Sequence, residues 1–456
     1  MWLAPFLSQV ANAALRVYYR LHRGGGAVPQ GGPVLLVANH PNSLLDPAMV
    51  ALAARRPVRF LAKAPLFKDP LVGFLVRGAG SIPVYRKSDD PSQVGRNEEM
   101  FRAVHEALAG GAAVGIFPEG LSHSDPSLAP LKTGAARIAL GTLAAHGIRV
   151  PIIPIGSVFR DKNVFRSEAL VTVGRPVAWD DLAADETGEG HAVRELTQRI
   201  DRALREVTVN LERWEDAALV ELAEAIYAAE VGKAADAAEW VGRLRTTTET
   251  LTHLRQTGAG SVPLAKDITR HGRLLQRLGL RPQDLVEDPK RPGALWWLLR
   301  RLPLGGVIPL LVLAVGTAVF VIPYRLTSIL EKRARPRDDV RATHKLLAGA
   351  IVFPLWIVTL SVVLGTIAGP LTGMAALVAL PALGLFTLGL HEQWREAGEE
   401  ARRYVTVKRR RDRIQPLRDQ QRELAVRLKA VLEQQSATVE PPRPLAHASG
   451  LPQREQ

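Results

Sequence analysis

The run from Leu302 to Tyr324 holds no charged residue, and neither does the longer run from Leu346 to Leu390. In hydrocarbon every backbone N–H and C=O must find a partner inside the segment, so stretches like these fold as helices that cross a bilayer or fill a large core. The first is long enough for one span, and the second for two if it turns near Gly369-Pro370. Uncharged runs of this length exceed what a core helix needs, so we expect two or three spans within residues 301–392. Pro309, Pro323, Gly305, Gly306 and Gly316 mark the first run as the re-entrant or interfacial one. The stretches before Leu302, between the two runs and after Leu390 are all rich in Lys and Arg, and three plain spans cannot keep all of them on the positive side. No internal charge interrupts either run, which argues against a transport path and against a purely non-enzymatic membrane module of that kind.

The chain has 456 residues, enough for two or three domains, and a formal net charge of +14. Such a balance suits nucleic acid, anionic lipid or an anionic substrate. The basic stretches, such as Lys408-Arg409-Arg410-Arg411-Asp412-Arg413, flank membrane runs, so anionic lipid is the expected partner and nucleic acid is not. There is no cysteine, which excludes disulfides, thiolate metal sites and an acyl-cysteine intermediate. Residues 1–24 are uncharged through Leu15 and then basic, the reverse of a secretory signal, and too short in apolar length to span. With Trp2, Phe6, Tyr18 and Tyr19 beside arginines, they read as a helix lying in the membrane surface, the competing reading being a helix packed on the next domain.

From about Gly32 to Val177 short apolar runs alternate with helix-like segments. The runs are Val34–Ala38, Val58–Ala62, Ser81–Tyr85, Ala112–Phe117, Val150–Ile155 and Leu170–Val173, with helices over Glu98–Ala109 and Thr133–His146 among them. This alternation predicts an α/β domain, over 25–215, with a mixed, largely parallel sheet and ligands at the carboxyl ends of its strands. A helical region without evident chemistry follows over 216–300, ending in the interfacial pair Trp296-Trp297. Beyond the membrane segments lies a basic helical tail, 393–456, with a disordered end from about Ser436.

Four segments could carry chemistry. In VLLVANHPNSLLDP, His40 follows a strand and Asp46 stands six positions later. An imidazole held by a carboxylate is a general base for an alcohol, while Asp46-Pro47 is equally a helix cap followed by a proline at the first helical position. GSIPVYRK ends a strand in Arg86 and Lys87, either a phosphate site or a solvated strand end. FPEGLSHSD, followed by PLKTGA, presents Glu119, Gly120, Ser122 and Lys132 in a turn able to cradle a phosphate or head group. Ser122 lacks the G-x-S-x-G elbow of a nucleophile. VPIIPI is a wall of an acyl pocket, or core.

In this order and spacing the four segments resemble the PlsC-type glycerolipid acyltransferase family, over roughly residues 25–180. NHPNSLLD matches the first block, whose signature is H-x-x-x-x-D, with Pro41-Asn42 where many members have another pair; GSIPVYR, FPEGLS and VPIIPI match the others. HPNSLLDP, PLKTGAARIAL and the carboxyl-terminal membrane segments look most like the branch acting on glycerol-3-phosphate or dihydroxyacetone phosphate. The resemblance implies an α/β acyltransferase domain followed by helices and membrane spans, with His40 as general base, Asp46 holding it, Arg86 binding the acceptor phosphate, Glu119, Gly120 and Ser122 shaping the acceptor site, and Lys132 as a second phosphate candidate. It implies direct transfer from acyl-CoA or acyl-carrier protein, with no cofactor and no metal, in phospholipid synthesis. Lysophosphatidate is the alternative acceptor. The expected location is a bacterial inner membrane, the catalytic domain on the cytoplasmic face.

Overall fold

The computed structural model describes residues 4–85, 95–182, 189–257, 261–286 and 306–438. Seven strands form one sheet: β1 (Arg20–Gly25), β2 (Val34–Ala38), β3 (Val58–Lys63), β4 (Ile82–Val84), β5 (Ala113–Ile116), β6 (Ile152–Phe159) and β7 (Glu168–Val173), in the order β1-β7-β6-β2-β5-β3-β4. The unbroken apolar run VLLVA becomes the central strand because both of its faces are covered. Its side chains alternate: Leu35 and Val37 join a core with helices α4 (Asn97–Ala109), α5 (Gly134–His146) and α6 (Glu189–Val207). Val34, Leu36 and Ala38 join the opposite core with α1 (Ala4–Tyr18) and α2 (Leu45–Ala54). A further helix, α3 (Pro70–Gly78), precedes β4.

β2, β3, β4, β5 and β6 run parallel, while β7 is antiparallel to β6 and β1 parallel to β7. The sheet is therefore mixed and largely parallel, and all six expected strands are in it. β1 was not expected. Its residues RLHRGG show no apolar alternation, and they form a strand only because β7 supplies the hydrogen bonds, with Arg20 N–H to Ser167 O at 2.9 Å and Gly26 N–H to Val173 O at 2.8 Å. Gly25 sits at φ +79°, where an added Cβ would lie 2.1 Å from Val173 O.

The amino-terminal helix departs from its expectation in part. Tyr18 and Tyr19, read as interfacial aromatics, are buried with Leu15 in the core beneath α2. Their hydroxyls find protein partners, Tyr18 on Asn163 O and Tyr19 on Lys162 O, and burial pushes both phenols above their ordinary pKa. Phe6, Val10 and Val17 on the other side stay exposed. Trp2 lies outside the described residues.

Beyond the sheet come α7 (Ala217–Glu230), α8 (Ala237–Thr257), α9 (Ser261–Leu278) and α10 (Pro282–Val286), then α11 (Val307–Ala334), α12 (Asp338–Ala368), α13 (Pro370–Arg409) and α14 (Arg411–Thr438). α11, α12 and α13 are long and apolar enough to cross a membrane. The break at Gly369-Pro370 falls where expected, with Gly369 at φ +96°. The first run is not re-entrant over its described part: α11 is continuous through Pro323. Proline removes the N–H that Val319 O would accept, and the Trp356 indole N–H of α12 takes that carbonyl at 3.0 Å instead. The tail is not a separate unit either. α13 runs through position 392 unbroken, and α14 folds back so that Leu424, Ala425 and Leu428 pack on Ala223, Ile226, Leu264 and Ile268. The disordered end expected from about Ser436 is helical as far as Thr438, and its remainder, with Trp296-Trp297 and Gly305, lies outside the described residues.

Candidate active site

β2 delivers Asn39 and His40 at its carboxyl end, on the edge of the sheet where α/β folds bind ligands. Asn39 is clamped to β6, its Nδ2 donating to Ser157 O at 2.9 Å and its Oδ1 accepting from Ser157 N–H at 2.8 Å. His40 Nδ1 lies 2.8 Å from Asp46 Oδ2, and the ring stacks on Phe117 with centroids 4.1 Å apart. Five residues, Pro41 to Leu45, separate the pair, one more than the H-x-x-x-x-D signature. A tight turn absorbs the extra residue, with Ser43 in the left-handed region at φ +47° and Leu45 N–H on Asn42 O at 3.0 Å.

Asp46 is not the helix cap. α2 begins at Leu45, its cap position is Leu44, and the carboxylate points back to accept from His40 and from Asn42 N–H at 2.7 Å. The side chain is fully buried, and Oδ1 finds no hydrogen-bond partner among the described residues. Burial pushes this carboxyl above its ordinary pKa, and the His40 and Asn42 N–H groups pull it back. With Nδ1 donating to Asp46, Nε2 is the ring nitrogen left as an acceptor.

Glu119 is buried and lies beneath His40 rather than in open space. Its Oε1 accepts His40 N–H at 2.7 Å, while Oε2 accepts Ala129 N–H at 2.9 Å and pairs with His123 Nε2. Gly120 sits at φ +74°, and an added Cβ would lie 2.6 Å from Lys132 Nζ, so the lysine stem covers this glycine. Ser122 Oγ accepts Ser43 N–H at 3.0 Å and braces the turn between the pair. Arg86 and Lys87 lie outside the described residues. The strand before them, β4, runs parallel to β2 three strand spacings away, about 14 Å.

A cavity of about 700 Å³ opens on the His40 ring. Asn39, Glu119, His123 and Lys162 line its polar end, and Phe159, Leu170, Val220, Trp240 and Leu244 an apolar wall. Gly120, Ser122 and Lys132 do not line it. The VPIIPI segment is core, since Val150, Ile152, Ile153 and Ile155 are buried, and the cavity meets β6 only from Ser157 onward. Sequence reading missed Asn39, Asn42, Tyr19 and Lys162, whose partners are distant along the chain, and the part that α7 and α8 play in the wall.

Residues 21–158 match the family model described as Acyltransferase. The chain is 35% identical over 136 residues to the glycerol-3-phosphate O-acyltransferase 2 of Saccharomyces cerevisiae, covering 29% of this chain and 18% of that one. The glycerol-3-phosphate O-acyltransferase 1 of the same yeast is 25% identical over 459 aligned positions, covering 76% and 59%. A chloroplastic 1-acyl-sn-glycerol-3-phosphate acyltransferase of Brassica napus is 32% identical over 123 residues, covering 27% and 32%. The chain thus spans less than two thirds of the length of each of these relatives. The sheet that carries His40 and Asp46 is a domain of the acyltransferase family.

Proposed function

We propose that this chain is a membrane-bound O-acyltransferase that moves a fatty acyl group from a thioester donor, acyl-CoA or acyl-carrier protein, to glycerol-3-phosphate. The observation that carries the reading is the His40–Asp46 pair, 2.8 Å apart, with His40 lining a cavity that has an apolar wall. His40 Nε2 takes the proton of the acceptor hydroxyl as its oxygen attacks the thioester carbonyl. Asp46 fixes the tautomer and stabilises the imidazolium that forms. The tetrahedral adduct collapses with cleavage of the C–S bond, and the imidazolium returns its proton to the leaving thiolate. The products are an ester and a free thiol, and no cofactor or metal enters. Arg86 binds the acceptor phosphate. Glu119, Gly120 and Ser122 act on the acceptor site by holding the loops around His40, and Lys132 is a second phosphate contact. The helices α11 to α13 hold the enzyme in the bilayer that receives the lipid product, with the basic stretches toward anionic head groups of a bacterial inner membrane and the domain on the cytoplasmic side.

Likeness to the Brassica napus protein supports a second acceptor, 1-acylglycerol-3-phosphate. Membranes containing the protein are incubated with labelled acyl-CoA and glycerol-3-phosphate, dihydroxyacetone phosphate or lysophosphatidate separately, and the lipid products are resolved. Product with glycerol-3-phosphate, and a loss of about 10²-fold or more in His40→Ala with insertion retained, is the expected outcome. Full activity in His40→Ala refutes the mechanism.

A further inference from the structure

The membrane helices and the catalytic pair meet on one short loop, residues 160–167, between β6 and β7. Toward the site, Lys162 Nζ donates to Pro41 O at 3.1 Å, the residue after His40, and to Ser124 Oγ. The carbonyl of Lys162 accepts from Tyr19 OH, which in turn accepts from Asn42 Nδ2 at 3.0 Å, and Asn42 N–H holds Asp46. Toward the bundle, Lys162 Nζ lies 3.3 Å from the Asp338 carboxylate in the first turn of α12. Asn163 Nδ2 donates to Asp338 Oδ1 at 2.8 Å, and Lys345 Nζ to Asn163 O at 2.8 Å. Arg166, at φ +63°, forks Glu392 of α13 through Nε and Nη2 at 2.6 and 2.8 Å. Asp338 also lines the His40 cavity, and Ala342 one turn on is fully buried in the core beneath α2.

An ammonium has three donors. In Lys162 they point to Pro41 O, Ser124 Oγ and the Asp338 carboxylate, and the side chain is only 13% exposed. Without Asp338 a nearly buried charge loses its counter-ion. Other carboxylates on the cavity wall, Asp125 and Asp161 among them, then compete for it and draw it off Pro41.

We propose that Asp338 is a positioning residue for acyl transfer: through Lys162 it holds Pro41, and with it the His40 ring, so the membrane bundle completes the active site. The proposal rests on the acyltransferase reading for its kinetic readout, and a second readout stands without it. Full-length protein in lipid nanodiscs is compared with Asp338→Asn, Asp338→Glu and, as a remote control, Lys429→Ala, whose ion pair with Glu433 lies on α14. For Asp338→Asn, kcat falls about tenfold or more while KM for glycerol-3-phosphate and acyl-CoA stays within about twofold, because positioning acts on the reacting geometry. Asp338→Glu recovers most of kcat, and amide exchange over residues 39–46 quickens in Asp338→Asn but not in the control. Wild-type kcat in Asp338→Asn, or a loss confined to KM, overturns the proposal. Should the wild type transfer acyl groups to no acceptor, the function reading fails and the exchange decides alone on the link from Asp338 to the His40 loop: unchanged exchange over 39–46 overturns that link, and quickened exchange upholds it.

Discussion

Replacing Asp46 by Asn separates charge from shape at the centre of the site. The carboxylate accepts two N–H groups on Oδ2, from His40 at 2.8 Å and Asn42 at 2.7 Å. An asparagine that places its oxygen there keeps both bonds, and its NH₂ then takes the buried position of Oδ1, which has no hydrogen-bond partner among the described residues. What it loses is the negative charge opposite the imidazolium. At about 4 Å and an effective dielectric near 20 that attraction is about 4 kcal/mol, or about 10³ in rate at about 1.36 kcal/mol per decade. Flipped, the amide donates to Nδ1, forces the proton onto Nε2 and removes the base altogether. Stability moves the other way with pH. A carboxyl whose native pKa is raised by burial contributes fully below its unfolded value, about 3.9, and the native state loses that contribution as pH rises through the raised value. Asp46→Asn does not titrate, so its melting temperature relative to wild type improves as pH climbs through that window. The assay is initial rate with saturating donor and acceptor across pH, beside thermal unfolding of the same samples. A kcat within about fivefold of wild type at every pH refutes the argument that this charge stabilises the imidazolium.

Arg86→Ala raises KM for glycerol-3-phosphate about tenfold or more with little change in kcat, read from acceptor titrations, since a charge-assisted contact to phosphate is worth roughly 1.5–3 kcal/mol. Gly120→Ala destabilises the turn by about 1 kcal/mol, because φ +74° is strained for a side chain while the crowding Lys132 stem can shift; limited proteolysis or melting checks it. Trp356→Phe leaves Val319 O without its indole donor and lowers thermal stability in detergent by about 0.6 kcal/mol, and by at most about 2.

The sequence by itself determined the elements whose cause is local. Unbroken apolar runs announced β2 and the membrane helices, because burial on every side leaves no room for polar residues, and Gly369-Pro370 marked the turn between α12 and α13. It also determined the candidate pair, since His40 and Asp46 lie at the two ends of the short connection from β2 to α2. Only the tertiary structure decided what depends on distant partners. β1 exists because β7 hydrogen-bonds a polar segment, Tyr18 and Tyr19 turn inward because a core awaits them, and Asp46 leaves the cap because His40 competes for its oxygen. Glu119, read as shaping the acceptor site, also braces the His40 backbone and Ala129 N–H, partners that spacing does not reveal. Spacing along a chain records which groups can meet, whereas desolvation and competition among hydrogen-bond partners, settled in three dimensions, select which ones do.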